Sequence, residues 1–266
     1  MLTELKNPRF AVPDDVLSAL KVADNQVVNI VGEAIAGNYT MPRGLARCAL
    51  FGMCAKGSRK QHDKKEMAAW KGWKITHTGE QLDQGDLDVW LAVCRMIAST
   101  DGRLVVSFRT LLGEMGANNV GGTRVKRLRV SLQRLHDGIL SIQHNEQRFD
   151  GPLLRCDQDG GKMVITLPRS QSWLWRDVVW LDCTVRQSIK PNLSKWLHHY
   201  TSSHRGTQQN PSLSRLIDLH RLCASQQPHI RRFRFNVRAG FDTLHTHQCI
   251  QQWYISPQSV VKFSNQ

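Results

Sequence analysis

The sequence predicts an α+β fold in which one order of elements occurs twice behind an N-terminal leader. Three observations carry this. Two blocks of the chain each read helix, strand, helix, turn, helix, strand pair. The last helix of each block is basic on one side and apolar on the other. The length of 266 residues suits two compact domains, because one core seldom grows much past this size. A hydrophobic fraction of 41% is enough to build packed cores.

Taken in order, residues 1–40 mix Pro8, Pro13 and Gly37 with weak periodicity and are expected to form a partly flexible leader with one helix over 14–23. A first domain is expected over 41–170. It begins where Leu45, Cys48, Ala49 and Leu50 fall at helical spacing, and 56–65 follows as a basic loop. Gly79-Glu80-Gln81-Leu82-Asp83 opens a long amphipathic helix with Leu82, Leu87, Val89, Trp90, Val93 and Ile97 on its apolar face. A strand over 103–108, a helix over 110–115 and a Gly/Asn-rich turn over 116–122 come next. Thr123 is expected to cap a basic helix that runs to about 136 and ends at Asp137-Gly138. Strands are expected over 139–144, 153–156 and 162–167, the last two joined by the turn sequence Asp157-Gln158-Asp159-Gly160-Gly161.

A second domain is expected over 171–266. It opens with a strand over 178–182, then helices over 184–188 and 192–204, a polar loop over 205–211 and a helix over 213–223. A turn over 224–228 precedes a second basic helix over 229–245, and strands over 249–255 and 260–263 close the chain. This order is that of a winged helix, a variant of the helix-turn-helix, so the expected architecture is two tandem winged-helix domains. No residue-level repeat joins the two blocks.

Charge narrows the partner. Lys plus Arg number 36 against 22 Asp plus Glu, a net charge of +14. Such a surplus points to nucleic acid or an anionic membrane surface. No apolar run approaches the ~18–20 residues of a spanning helix. Residues 1–8 lack the apolar stretch of a signal peptide, so a cytoplasmic place is expected. The seven cysteines, Cys48, Cys54, Cys94, Cys156, Cys183, Cys223 and Cys249, show neither CxxC nor zinc spacing and read as reduced thiols.

The two basic helices have the faces that a reader of duplex DNA needs. In the first, Val125, Leu128, Leu132 and Leu135 share the core face, and Thr123, Lys126, Arg127, Val130 and Arg134 face away. Arg124, Arg129 and Ser131 flank them. In the second, Ile230, Phe233, Val237, Phe241 and Leu244 make the apolar stripe, and Arg231, Arg232, Phe235 and Ala239 project outward. Arg238 and Asn236 lie at the edges, with Arg234 nearer the core, and no acidic residue occurs from 229 to 240. The major groove admits one helix and rewards donors on its outer side, with arginine gripping guanine by two bonds. Lysine and flanking arginine meet phosphates. Phe235 has two readings, contact with a thymine methyl or packing on a neighbour. A solvated basic face explains one such helix; two at the same place in the same order argue for DNA.

The segment His77-Thr78-Gly79-Glu80-Gln81-Leu82-Asp83-Gln84-Gly85-Asp86-Leu87-Asp88-Val89-Trp90-Leu91-Ala92-Val93 resembles the signature of the TrfA-type plasmid replication initiators. Residues 45–52, Lys195-Trp196-Leu197-His198 and Leu219-His220-Arg221-Leu222-Cys223 are similar to further stretches of that family. The resemblance runs patchily from about residue 41 to the C-terminus. It implies two winged-helix domains and binding to direct repeats (iterons) at a plasmid origin. It also implies opening of an AT-rich segment and recruitment of a host initiator, helicase and sliding clamp. Dimerisation through the first domain, with iteron binding as a monomer, belongs to the same implication.

Other chemistries fit less well. Glu80, Asp83, Asp86 and Asp88 could hold a metal, but near a helix start they read better as caps and dipole partners. A rolling-circle nicking enzyme needs a histidine pair and a nucleophilic tyrosine. His245-Thr246-His247 with Tyr254, or His198-His199 with Tyr200, are faint matches. No Gly-rich phosphate loop with a lysine is present, so an ATPase is not expected. No enzyme activity, metal or cofactor is expected. A transcriptional repressor of the same fold remains open, because fold does not decide function.

Overall fold

The computed structural model describes residue 31 and residues 36–55, 57–159 and 161–265. The helix expected over 14–23 lies outside the described residues.

The chain is a mixed helix-and-sheet fold around two apolar cores, one built from residues between Val31 and Cys183 and one from residues between Ile189 and Phe263. The centre of the first core is helix α2 (Gln84–Ile97), preceded by α1 (Arg43–Ala46). Asp83 starts α2 through a capping box: its carboxylate accepts from the Gly85 amide at 2.8 Å, and Asp86 accepts from the Asp83 amide at 3.0 Å. Leu87, Val89, Trp90, Leu91, Ala92, Val93, Cys94 and Ile97 are all buried. A helix this apolar around its circumference must be covered on most sides. Phe51 and Trp175 supply part of that cover, with ring centroids 5.9 and 5.5 Å from Trp90.

Strand β4 (Arg103–Val106), α3 (Phe108–Glu114) and α4 (Gly122–Asp137) follow α2. The Ser107 hydroxyl caps α3 by accepting from the Thr110 amide at 3.1 Å. The N-cap of α4 is Gly121 without a side-chain bond, so Thr123 sits inside the first turn rather than capping it. Leu128, Leu132 and Leu135 bury the core face of α4.

Among the described residues, three antiparallel sheets and one strand pair complete the fold. Strand β4 pairs with β8 (Lys162–Thr166), which pairs with β7 (Arg155–Asp159). In the second half, β10 (Ser212–Arg215) pairs with β12 (Val260–Asn265), which pairs with β11 (Ile250–Ile255). The helices there are α5 (Cys183–Ser188), α6 (Asn192–Ser202), α7 (Leu216–Leu222) and α8 (Ile230–Thr246). Helix, strand, helix, helix, hairpin therefore occurs twice, as α2-β4-α3-α4-β7-β8 and as α6-β10-α7-α8-β11-β12. In both sheets the first strand lies beside the third.

Several expected elements differ. The strand expected over 139–144, β5 (Ile139–His144), leaves the α4 unit and joins a four-stranded sheet with β6 (Gln147–Gly151), β3 (Trp73–Glu80) and β2 (Gln61–Met67). Its register aligns Met67, Ile75, Ile142 and Phe149 in one buried row across all four strands. Residues 61–65 of the basic loop expected over 56–65 are thus part of strand β2. A bulge between His62 and Lys65 breaks its alternation there. The expected strand at 178–182, β9 (Val178–Asp182), pairs with β1 (Asn38–Pro42), and Val179 and Leu181 pack into the first core. The helix expected from 213 starts at Leu216. Before it, β10 turns Leu213 outward and Ser214 inward, where its hydroxyl lies 2.8 Å from that of Tyr200.

The two cores meet through polar contacts. The Arg186 guanidinium donates to Asp88 at 2.8 Å, to Gln84 Oε1 at 2.8 Å and to the Lys195 carbonyl at 2.6 Å. Lys195 also pairs with Asp88. Arg43 and Arg47 both donate to the Ser203 carbonyl. No helix among the described residues is long and apolar enough to cross a membrane.

Candidate nucleic-acid interface

The outer faces of α4 and α8 carry the basic residues. On α4, Thr123, Arg124, Lys126, Arg127, Arg129 and Val130 are exposed. Arg124 donates to the Asn119 carbonyl at 3.4 Å, and the Arg129 guanidinium stands 5.2 Å from the centre of the Phe108 ring. Among the described residues, Lys126 and Arg127 enter no ion pair. Beside this face a groove between α2, α3 and α4 is lined by Arg59, Asp83, Thr123, Lys126, Arg127 and Val130.

Two expected α4 contacts are used internally. Ser131 is buried and donates to Asp86. Arg134 pairs with Asp86 at 3.0 Å and with Glu80 at 2.9 Å. Arg59 completes the cluster, donating to Asp86 at 2.8 Å and pairing with Asp83. Burial pushes the Asp86 carboxyl upward and the neighbouring Asp83 adds to that, while Ser131, Arg59 and Arg134 oppose it. Burial alone would weaken the Arg59 charge, but Asp86 and Asp83 more than offset it and hold that guanidinium above its ordinary value. Within the 77–93 segment Glu80 and Asp86 therefore anchor α4 through Arg134, and Asp83 with Asp86 caps α2. Their place at a helix start signalled the capping; their reach to α4 had no sequence signal.

On α8, Arg231, Arg232, Phe235, Arg238 and Ala239 are exposed, and Asn236 is half-buried. Ile230, expected in the apolar stripe, is exposed because α8 begins there and its core contacts start at Phe233. Arg234 turns sideways. Its guanidinium donates to the Ser256 carbonyl at 2.9 Å, to the Ile255 carbonyl at 3.3 Å and to the Ser259 hydroxyl at 3.3 Å. It clasps the β11–β12 turn. The two hairpin turns differ in charge: β7 and its turn expose Asp157 and Asp159, whereas residues 256–259 carry no charged side chain.

The histidine and tyrosine groups considered for cleavage chemistry lie at two places in the fold. His198, His199 and Tyr200 are buried in α6, with His199 Nδ1 3.1 Å from the Ala46 carbonyl. His245 and Tyr254 are exposed, on α8 and β11.

No protein-family model and no curated protein matches the chain. Among solved structures it is similar to domains 2 and 3 of RctB, seen as a selenomethionine derivative, with a TM-score of 0.58 and 10% identity over 85% of this chain and 98% of that one. A second structure of RctB domains 2–3 aligns with a TM-score of 0.49 and 13% identity, over 80% of this chain and 93% of that one. The Pi initiator protein in complex with iteron DNA aligns with a TM-score of 0.49 and 12% identity, over 66% and 89%. At 10% identity, what the chain shares with the RctB domains is their fold.

Proposed function

We propose that this chain is a sequence-specific binder of duplex DNA that initiates replication at a plasmid origin. Its two units, α2 to β8 and α6 to β12, act as tandem winged helices that engage direct repeats. The observation that carries the reading is the recurrence of one arrangement. In each unit the third helix turns an apolar face to its own core and an exposed face with several arginines to solvent. Arg127, Arg231 and Arg232 are free to meet guanine edges, and Lys126, Arg124 and Arg238 to meet phosphates. No covalent step is required. The role at an origin, with duplex opening and recruitment of a host initiator, helicase and sliding clamp, draws on the resemblance of residues 77–93 to the TrfA-type initiators.

The test is a binding series with the full chain on duplexes bearing direct repeats and on scrambled duplexes of the same composition. The repeats should be preferred by a factor of about 10³ or more at physiological salt. Affinity should fall linearly in log–log form as salt rises. Equal affinity for both duplexes would overturn the reading.

A further inference from the structure

Each basic helix carries an exposed apolar side chain among the cations of its outward face. On α8 it is Phe235, 72% exposed; on α4 it is Val130, 39% exposed. The neighbours one turn away are cations in both cases. Arg231, Arg232 and Arg238 stand at i−4, i−3 and i+3 from Phe235, and Lys126 and Arg127 at i−4 and i−3 from Val130. The other rings of α8 pack inward, Phe233 against His220 at 4.8 Å and Phe241 against Phe263 at 5.7 Å. Core packing therefore gives no reason for a phenyl ring at 235.

A partner for such a face must be anionic around an apolar spot. The major groove of B-DNA offers one apolar group that stands out from its floor, the C5 methyl of thymine, among donors, acceptors and the flat C–H edge of cytosine. Ala239, exposed one turn beyond Phe235, leaves room for a base edge beside the ring. A similar arrangement on the third helix of both units argues for one kind of partner. Resting on the DNA-reading function proposed above, we infer that Phe235, and to a lesser degree Val130, select thymine by its methyl group. The bound repeat then carries a thymine under the middle of each helix. A 5-methylcytosine presents the same methyl and partly replaces it.

The experiment starts from a duplex selected from a random pool by the full chain. Each thymine is replaced singly by deoxyuridine, which removes the methyl and keeps the base pair. For the unaltered protein, one such replacement should weaken binding about fourfold, the worth of one buried methyl. For Phe235→Ala the same replacement should have no effect, and its thermal midpoint should equal that of the parent because the ring is exposed. Deoxyuridine neutral at every position, or Phe235→Ala keeping every loss that the unaltered protein shows, overturns the assignment. Failure to select any preferred duplex would instead overturn the DNA-reading function itself. Phe235→Ala that releases the chain from phosphatidylserine vesicles, with DNA binding unchanged, overturns the assignment in favour of a membrane surface.

Discussion

The Asp86 carboxylate lies 3.0 Å from the Arg134 guanidinium and so ties the first turn of α2 to the back of α4. The Asp86 side chain is fully buried at 0% exposure, with Arg59 and Ser131 on its remaining lone pairs. A buried charge of this kind is tolerable only while its partners are present. It joins the start of α2 to the helix whose outer face carries Arg127 and Lys126. The segment that resembles an initiator signature thus acts on the outer face from behind.

Asp86→Asn keeps the shape and one capping acceptor but removes the buried charge between Arg59 and Arg134, leaving Arg59 with Asp83 and Arg134 with Glu80. Breaking a buried pair from one side costs about 3–5 kcal/mol. Urea unfolding should show a loss of that order, and a loss under ~1 kcal/mol would mean that the cluster is solvated in solution.

Arg127→Ala and Arg232→Ala should behave in the opposite way. Both side chains are exposed, so stability should stay within ~0.5 kcal/mol of the parent. Affinity for the preferred duplex should fall by about 1–3 kcal/mol, concentrated at one base pair. Competition against single-base variants measures this. A loss spread evenly over all duplexes reassigns the residue to a phosphate.

These contrasts mark what the sequence could and could not reveal. The long helices α2, α4 and α8 were legible because eleven or more residues of apolar periodicity outweigh local noise. Strand β2 was not. Lys64 adopts a left-handed φ of 43° at the bulge, and the four residues from Asp63 to Glu66 are all exposed, so no period of two survives. Strand β5 was found, but alternation says that a strand has one buried face and not which sheet it joins. Helical spacing placed Arg134 on the outward face and Arg234 nearer the core. It could not show that the first reaches Asp86 and the second a turn more than twenty residues away.

Arg234→Met tests that second contact. It keeps the apolar stem and removes the bonds to Ile255, Ser256 and Ser259. Amide exchange in residues 256–259 should accelerate, because the turn loses its clasp. DNA affinity should fall for all sequences alike, with the salt slope unchanged. A slope reduced by about one would instead place Arg234 on a phosphate.

Acid stability depends on histidines held neutral inside the fold. Burial is the leading cause for each: it lowers His77 to about 4, His198 to about 3 and His204 to about 4, from an ordinary value of 6.5. Nearby charge adds to it, from His62 at His77, from Arg186 at His198 and from Arg47 at His204. At the first site His62 and His77 face each other with Nδ1 atoms 3.0 Å apart, so one can donate to the other only while the accepting ring is neutral. A group whose folded value is depressed gives stability that is complete above its unfolded value and lost as pH falls toward its folded value. The window here runs from 6.5 down to about 4 for His77 and His204, and to about 3 for His198. At pH 5 each of the three should have lost about 2 kcal/mol, at 1.36 kcal/mol per pH unit. Three such losses rival the ~5–15 kcal/mol that holds a typical domain folded. The urea midpoint should therefore drop steeply between pH 6.5 and 5, above the range in which ordinary carboxylates titrate, and His77→Gln should flatten that part of the profile. A midpoint constant over this interval would mean that these imidazoles accept protons without leaving the folded state.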